Sequence, residues 1–332
     1  MPELTQIQDL PIDYYWLDCA TNEDASIMFV VGFKDQLVLY RCKNDIWTES
    51  ISVSLPSISP TAQIVCDSSG KYVIYNTSTE IYVSSDYGDT FSLSTLPSNT
   101  GTVLGVCIGG TPILQDCYYY ATIFLKNTNG SSSILRSENF GQSWKTVCTK
   151  PGVVGRIAAA KKTGYVYTLN TNLSSQDKTS TFLISTNYGI DWVKQNQIVF
   201  GTSPRIFTNN DGQIVTFSVN GETIVIPYYS NTYLKQICNV KDQEGTTVSS
   251  NSPEPIFLTN SGKEFLCVKG YDETTTQIYN SKDFSSEIVV SKFSDQNMTW
   301  TCLCVSELLE PNGSKTYLAG TYKNGVWIYK SQ

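Results

Sequence analysis

Three eight-residue segments of this chain line up without gaps: Ser84-Ser85-Asp86-Tyr87-Gly88-Asp89-Thr90-Phe91, Ser137-Glu138-Asn139-Phe140-Gly141-Gln142-Ser143-Trp144 and Ser185-Thr186-Asn187-Tyr188-Gly189-Ile190-Asp191-Trp192. They share Ser, any residue, Asp or Asn, an aromatic, Gly, any residue, a polar residue and a final aromatic. A returning unit constrains the fold more than composition can, because repeated units bury their apolar faces against one another. The pattern describes a hairpin turn in which Gly88, Gly141 and Gly189 supply a positive φ, while Asp86, Asn139 and Asn187 accept backbone N–H groups around the bend. Phe91, Trp144 and Trp192 then start the following strand and pack inward. A weaker fourth copy begins at Ser281-Lys282-Asp283, with Ser285 in place of the glycine.

Each copy follows a short apolar run: Ile81-Tyr82-Val83, Ile134-Leu135-Arg136, Phe182-Leu183-Ile184 and Gln277-Ile278-Tyr279-Asn280. The same run recurs without a good turn motif at Leu37-Val38-Leu39-Tyr40, Thr223-Ile224-Val225-Ile226 and Val326-Trp327-Ile328-Tyr329. The seven copies start near 37, 81, 134, 182, 223, 277 and 326, so successive starts are 41 to 54 residues apart. That period suits a four-stranded propeller blade. A second signature keeps the same phase. Asp67-Ser68-Ser69-Gly70, Lys161-Lys162-Thr163-Gly164, Asn209-Asn210-Asp211-Gly212 and Thr259-Asn260-Ser261-Gly262 fall where a blade's first strand turns into its second.

The first segment matches the Asp-box at each defining position, and nearly the whole chain resembles the sialidase-like, or BNR, family of Asp-box β-propellers. In that family the box lies between the third and fourth strands of a blade, on the face opposite the ligand site. The resemblance therefore implies a structural role for Ser84, Asp86, Gly88, Thr90 and Phe91, and for Ser137, Asn139, Gly141 and Trp144. It implies the same for Ser185, Asn187, Gly189 and Trp192, and for Ser281 and Asp283. The expected fold is all-β, one seven-bladed β-propeller of four-stranded antiparallel blades spanning residues 1–332. The last copy stops where its box would begin, and Leu4-Thr5-Gln6-Ile7-Gln8-Asp9-Leu10-Pro11 resembles Phe91-Ser92-Leu93-Ser94-Thr95-Leu96-Pro97. Residues 3–10 are thus expected to pair with the C-terminal blade at 299–331 and to close the ring.

Lys and Arg number 23 against 30 Asp and Glu, a net charge of -7. No basic run offsets it, so nucleic acid is not an expected partner. Met1-Pro2-Glu3-Leu4-Thr5 has neither the basic start nor the apolar stretch of a signal peptide, and no apolar run approaches the roughly 20 residues that cross a bilayer. The expectation is a soluble chain without a transmembrane segment, intracellular or virion-associated. Its 10 cysteines scatter through apolar runs such as Ile64-Val65-Cys66. They read as buried free thiols in a reducing compartment rather than as a disulfide framework. Asn-x-Ser/Thr sequons at Asn76, Asn129, Asn172, Asn297 and Asn312 are what a chain rich in these residues generates by chance.

By resemblance, an enzyme of this family holds a substrate carboxylate with three arginines, beside a Tyr activated by Glu and an Asp acid/base. Of the arginines here, Arg41 and Arg136 end third strands toward the box face. Arg156 and Arg205 begin first strands, where side chains approach the mouth of a central channel, and Trp16 and Asp18 stand near another inner strand. Two arginines do not make a triad, and an Arg-Ile-Pro motif is absent. Other glycoside hydrolysis needs two carboxylates about 5 to 9.5 Å apart. The chain has no histidine, which removes His-based catalysis and the commonest metal ligand. Cys302-Leu303-Cys304 is a close thiol pair without neighbouring ligands in the sequence, so neither metal nor other cofactor is expected.

The reading that follows is a non-catalytic interaction module or scaffold for a protein or glycan partner. Arg156, Arg205, Asp18 and Trp16 are its ligand-side residues, and polar loops at 170–179 and 240–255 form its rim. A sialidase-like or other glycoside hydrolase is the alternative. A second alternative is an assembly factor resembling the Asp-box propellers that help build photosystem II. The Asn, Tyr, Ile, Ser and Thr load also fits a viral or surface-associated component from an AT-rich genome.

Overall fold

The computed structural model describes residues 4–53, 62–110, 118–128, 130–171, 179–199, 206–219, 222–229, 232–233, 236–241, 256–258, 265–269, 277–281, 287–289, 291–292, 298, 300–306 and 315–330. Over these residues the strands gather into seven sheets that follow chain order. The first sheet is Tyr15–Thr21, Ile27–Phe33, Leu37–Lys43 and Ile46–Val53, and the second is Gln63–Cys66, Val73–Asn76, Ile81–Ser84 and Ser92–Leu93. The third is Thr100–Gly109, Tyr118–Leu125, Ser131–Ser137 and Lys145–Pro151, and the fourth is Val153–Ala159, Val166–Thr171, Thr179–Ser185 and Val193–Val199. Ile256–Leu258, Phe265–Lys269, Gln277–Ser281 and Ser291–Lys292 make the sixth. In each of these the order is sequential and every pair is antiparallel.

The fifth sheet departs from the expected four-stranded antiparallel blade. Ile206–Thr208, Ile214–Val219, Glu222–Tyr229 and Gln236–Lys241 pair in sequence, but Thr232–Tyr233 folds back on Glu222–Tyr229 and Glu287–Val289 joins Gln236–Lys241 in parallel. The third strand of every sheet contains the apolar run that the sequence repeats. Three of the four Gly-ended turns join first to second strands as expected; Thr259-Asn260-Ser261-Gly262 lies outside the described residues.

The core lies between sheets. Along Ile27–Phe33, Phe29 and Val31 pack toward the second sheet against Ile64, Val73 and Tyr75, whereas Met28 and Val30 pack toward the last sheet against Cys302, Leu318 and Val326. Successive strand residues point to opposite faces, so a strand buried on both sides reads as a continuous apolar run rather than an alternating one. Comparable clusters join the second sheet to the third, the third to the fourth and the fourth to the fifth. The first strands of the first six sheets pack one against the next in chain order, and Trp300–Val305 packs on Tyr15–Thr21.

The last sheet is built from both ends of the described chain, in the order Thr5–Gln6, Val326–Lys330, Thr316–Thr321, Trp300–Val305. Thr5 stands opposite Ile328 and Gln6 opposite Trp327, and the Ile7 N–H donates to the Val326 carbonyl at 2.8 Å. The paired segment is shorter than the expected 3–10. Its flanks are held by burial instead, with Leu4 in a cluster with Trp300 and Leu10 in a cluster with Trp16.

The turn motif folds alike in its three full copies. The Gly88 N–H donates to Ser84 Oγ at 2.9 Å, Ser84 Oγ donates to Asp86 Oδ1 at 2.7 Å, and the Thr90 N–H donates to the same oxygen at 3.0 Å. Ser137 with Asn139, and Ser185 with Asn187, repeat each bond within a few tenths of an ångström. Serine, not the Asp or Asn alone, therefore takes part of the bend's N–H load. The second side-chain arm switches polarity with sequence. Thr90 Oγ1 donates to the Asp86 carboxylate at 2.6 Å, whereas the Asn139 and Asn187 amides donate to Ser143 and Asp191 at 2.9 and 2.8 Å. The glycines have the expected positive φ, and the aromatic before each, Tyr87, Phe140 or Tyr188, is left-handed as well.

That polarity switch predicts a pH effect. Burial works to raise the Asp86 carboxyl, but hydrogen bonds from Thr90 and Ser84 outweigh it and hold the group below its ordinary value of 3.8. A depressed folded value means stability that is full above the unfolded value and lost as pH falls through the folded one. Asp86→Asn is expected to cost little at neutral pH, since Asn139 and Asn187 do the same work, and to flatten that acid limb. Asp86→Ala costs about 1 kcal/mol or more. Thermal melts from pH 2 to 7 check both; an unchanged acid limb in Asp86→Asn contradicts the account.

Candidate functional site

The first strands surround a cavity of about 210 Å³. Asp18, Gln63, Val106, Arg156, Thr208 and Cys304 contribute to its wall from the first, second, third, fourth, fifth and seventh sheets. Four of these strands carry an irregularity near the same end. Leu17, Leu104, the pair Gly155-Arg156, and Thr301 each fall between paired residues where the register shifts. Bulges of this kind bend a strand and re-aim its side chains, and they gather beside binding sites.

Around the bulges, contacts pass from each inner strand to the next. The Thr301 hydroxyl donates to the Trp16 carbonyl. Asp18 Oδ2 accepts the Ile64 N–H at 3.1 Å, and Gln63 Oε1 accepts the Val106 N–H at 3.2 Å. Between the third and fourth strands the backbones nearly touch: a Cβ at Gly105 would lie 2.9 Å from the Arg156 Cα. The Arg156 carbonyl accepts the Thr168 hydroxyl at 2.9 Å, which satisfies a carbonyl at the bulge.

The opposite ends of the inner strands belong to the box face. There the Tyr87 N–H of a box donates to the Lys71 carbonyl of a first-to-second turn at 3.0 Å, and the Glu23 N–H donates to the Ser68 carbonyl of the next sheet at 3.0 Å. Each box also leans on the preceding sheet. Phe140 stacks on Tyr72 with ring centroids 4.5 Å apart, and Trp144 Nε1 donates to Ser94 Oγ at 2.6 Å. Arg41 reaches the Tyr87 carbonyl at 3.2 Å and pairs with Asp89. Hydrogen bonds from Arg41 and then Lys43 hold the Asp89 carboxyl below the ordinary carboxylate value. Arg136 lies over the Tyr118 ring at 4.2 Å and meets Glu138 at 3.2 Å. Both arginines serve the box face, as their place at the ends of third strands implies.

Of the ligand-side residues read from sequence, Asp18 and Arg156 border one cavity. Trp16 does not: it is fully buried in the cluster between the last and first sheets. The bulge at Leu17 explains it: residues two apart on a regular strand share a face, but the extra residue between Trp16 and Asp18 turns them to opposite sides. Arg205 and Asp283 lie outside the described residues, as does most of both rim loops; Ser281 ends a third strand. Sequence reasoning missed Gln63 and the bulges. A polar residue heading the apolar run Ile64-Val65-Cys66 was the available signal for the first, while nothing in the sequence marks the second. Asn76 is buried and donates to the Thr77 carbonyl at 2.9 Å, so that sequon is no glycan acceptor in the folded chain. Cys19, Cys42, Cys66, Cys107, Cys148, Cys302 and Cys304 stand outside any disulfide, and all but Cys148 and Cys304 are buried.

No family model matches this chain, and no curated protein matches it in sequence. Among solved structures, YCF48 from Cyanidioschyzon merolae is similar over 98% of this chain and 98% of its own, with a TM-score of 0.59 and 14% sequence identity. Three box turns with one hydrogen-bond scheme, a series of four-stranded antiparallel sheets and that full-length likeness give this chain the fold of the Asp-box β-propellers.

Proposed function

We propose that the seven sheets are the blades of one closed β-propeller, and that it works without catalysis as a scaffold whose partner binds at the mouth opposite the boxes. The observation that carries this reading is the contrast between the two ends of the inner strands. At one end the box side chains spend their hydrogen bonds on their own turns and on the preceding sheet. Toward the other, Asp18 and Arg156 stand at bulges where the wall of one cavity begins, a wall that runs from there along the inner strands as far as Lys161. Among the described residues of that wall Asp18 is the carboxylate, whereas hydrolysis by paired carboxylates uses two. The likeness to YCF48 over nearly the whole of both chains favours an assembly factor that holds a protein partner over glycan recognition.

The test pairs a panel of sialosides and other glycosides with glycan and acidic-peptide arrays. No sugar release is expected. For an acidic probe that binds, changing Arg156 and Arg205 to Ala weakens affinity by about 1.5 kcal/mol or more per lost charged hydrogen bond, with the fold intact. Turnover that Asp18→Asn abolishes overturns the non-catalytic reading, and affinity indifferent to both arginines moves the site away from the mouth.

A further inference from the structure

Three thiols meet where the last sheet packs on the first. Cys19 and Cys302 are buried there in one cluster with Trp16, Leu318 and Val326, and Cys304 packs against it. Cys302 and Cys304, two apart on one strand, share a face but sit at different levels. Cys302 is level with Trp16: a Cβ added at Gly320 would come within 2.6 Å of Cys302 Sγ and 2.7 Å of Trp16 Cβ. Further along, Cys19 Sγ donates to the Leu318 carbonyl at 3.6 Å, and Leu318 is the cross-strand partner of Cys304. Cys19 and Cys304 therefore share a level on two strands that pack together, and both border the cavity. Both are free thiols.

We propose that Cys19 and Cys304 form a two-thiol modification site, which a small peroxide entering the cavity oxidises to a disulfide that fastens the first sheet to the last. Cys304, the more exposed of the two, meets the oxidant. Its thiolate attacks one peroxide oxygen, the O–O bond breaks, and the leaving hydroxide takes up a proton, giving a sulfenic acid and water. The Cys19 sulfur then attacks the Cys304 sulfur; the S–O bond breaks, the S–S bond forms, and the departing hydroxide leaves as a second water with the Cys19 proton. Two thiols lose two electrons and the peroxide gains them. Burial raises both thiols above their ordinary value, Cys19 well above it. Thiolate is therefore scarce at neutral pH, and the reaction accelerates as pH rises. The bond closes a loop of nearly the whole chain, at the seam that the cluster around Trp16 and the short strand Thr5–Gln6 already hold.

The test treats the folded full-length chain with hydrogen peroxide, alkylates it in denaturant and maps its peptides by mass spectrometry. The expected product is a Cys19–Cys304 disulfide peptide that dithiothreitol reverses, with a rate rising about tenfold per pH unit and a melting temperature raised by about 5 °C or more. Cys304→Ser abolishes it and Cys302→Ser retains it. Complete alkylation of both thiols, sulfinic or sulfonic acid at Cys304 in place of the disulfide, or a bond from Cys19 to Cys302 overturns the proposal. Should Cys304→Ser fail to fold, the peptide map of the unsubstituted chain decides alone.

Discussion

Gly88→Val is expected to destabilise the protein by about 3 kcal/mol or more. Two separate costs add. The backbone at Gly88 has φ +74°, where an L side chain costs roughly 1 to 2 kcal/mol. The added Cβ would also lie 2.6 Å from the ring of Phe29, which is wholly buried in the preceding sheet and has nowhere to move. Overpacking of that kind costs about 1 to 3 kcal/mol. Gly130 separates the two costs, because it has φ +75° but no heavy atom within 4 Å of an added Cβ. Gly130→Ala should therefore lose only the backbone part, and Gly88→Ala clearly more. Urea melts of the three variants check this; equal losses for the two alanine variants would show that the box glycine is chosen for its turn alone.

Removing residues 1–10 is expected to have the second large effect. The deletion strips Val326–Lys330 of its neighbour and removes Leu4 and Leu10, which are 5% and 3% exposed and pack against Trp300 and Trp16. Burying a leucine contributes about 1.5 to 3 kcal/mol, so the loss approaches about 3 to 6 kcal/mol before the strand's own hydrogen bonds are counted. An open edge also invites pairing between copies. Light scattering should show association, and calorimetry an earlier melt. A monomer with an unchanged melting temperature contradicts the closure.

Much of the fold was legible in the sequence because its signals are local. The Asp-box needs only eight residues, and its Ser, Asp or Asn, and Gly each answer one demand of the turn, so three copies announced the third strands and their phase. The apolar runs gave the other strands, since the first four sheets and the last are buried on both faces. What stayed hidden depends on neighbours in space. Leu17, Leu104 and Thr301 look like ordinary strand residues, and only pairing with a second strand makes them bulges. Trp16 was placed by its nearness to Asp18, and the bulge at Leu17 sends the two in opposite directions where a regular strand would have kept them on one face. The extra pairing of Glu287–Val289 with Gln236–Lys241 joins the fifth sheet to a segment some fifty residues away, which no repeat phase encodes.

The scaffold reading turns on which face meets the partner. Tyr15 begins an inner strand at the mouth and is 36% exposed; Tyr87 sits in a box at the other end and is 37% exposed. A photo-crosslinking amino acid placed at each in turn therefore samples the two faces with equal access. Incubated with an extract of the native source and read by mass spectrometry, the Tyr15 label is expected to give one discrete protein adduct that Arg156→Ala diminishes, and the Tyr87 label none. An adduct at Tyr87 that ignores Arg156, with nothing at Tyr15, would place recognition on the box face and contradict the account.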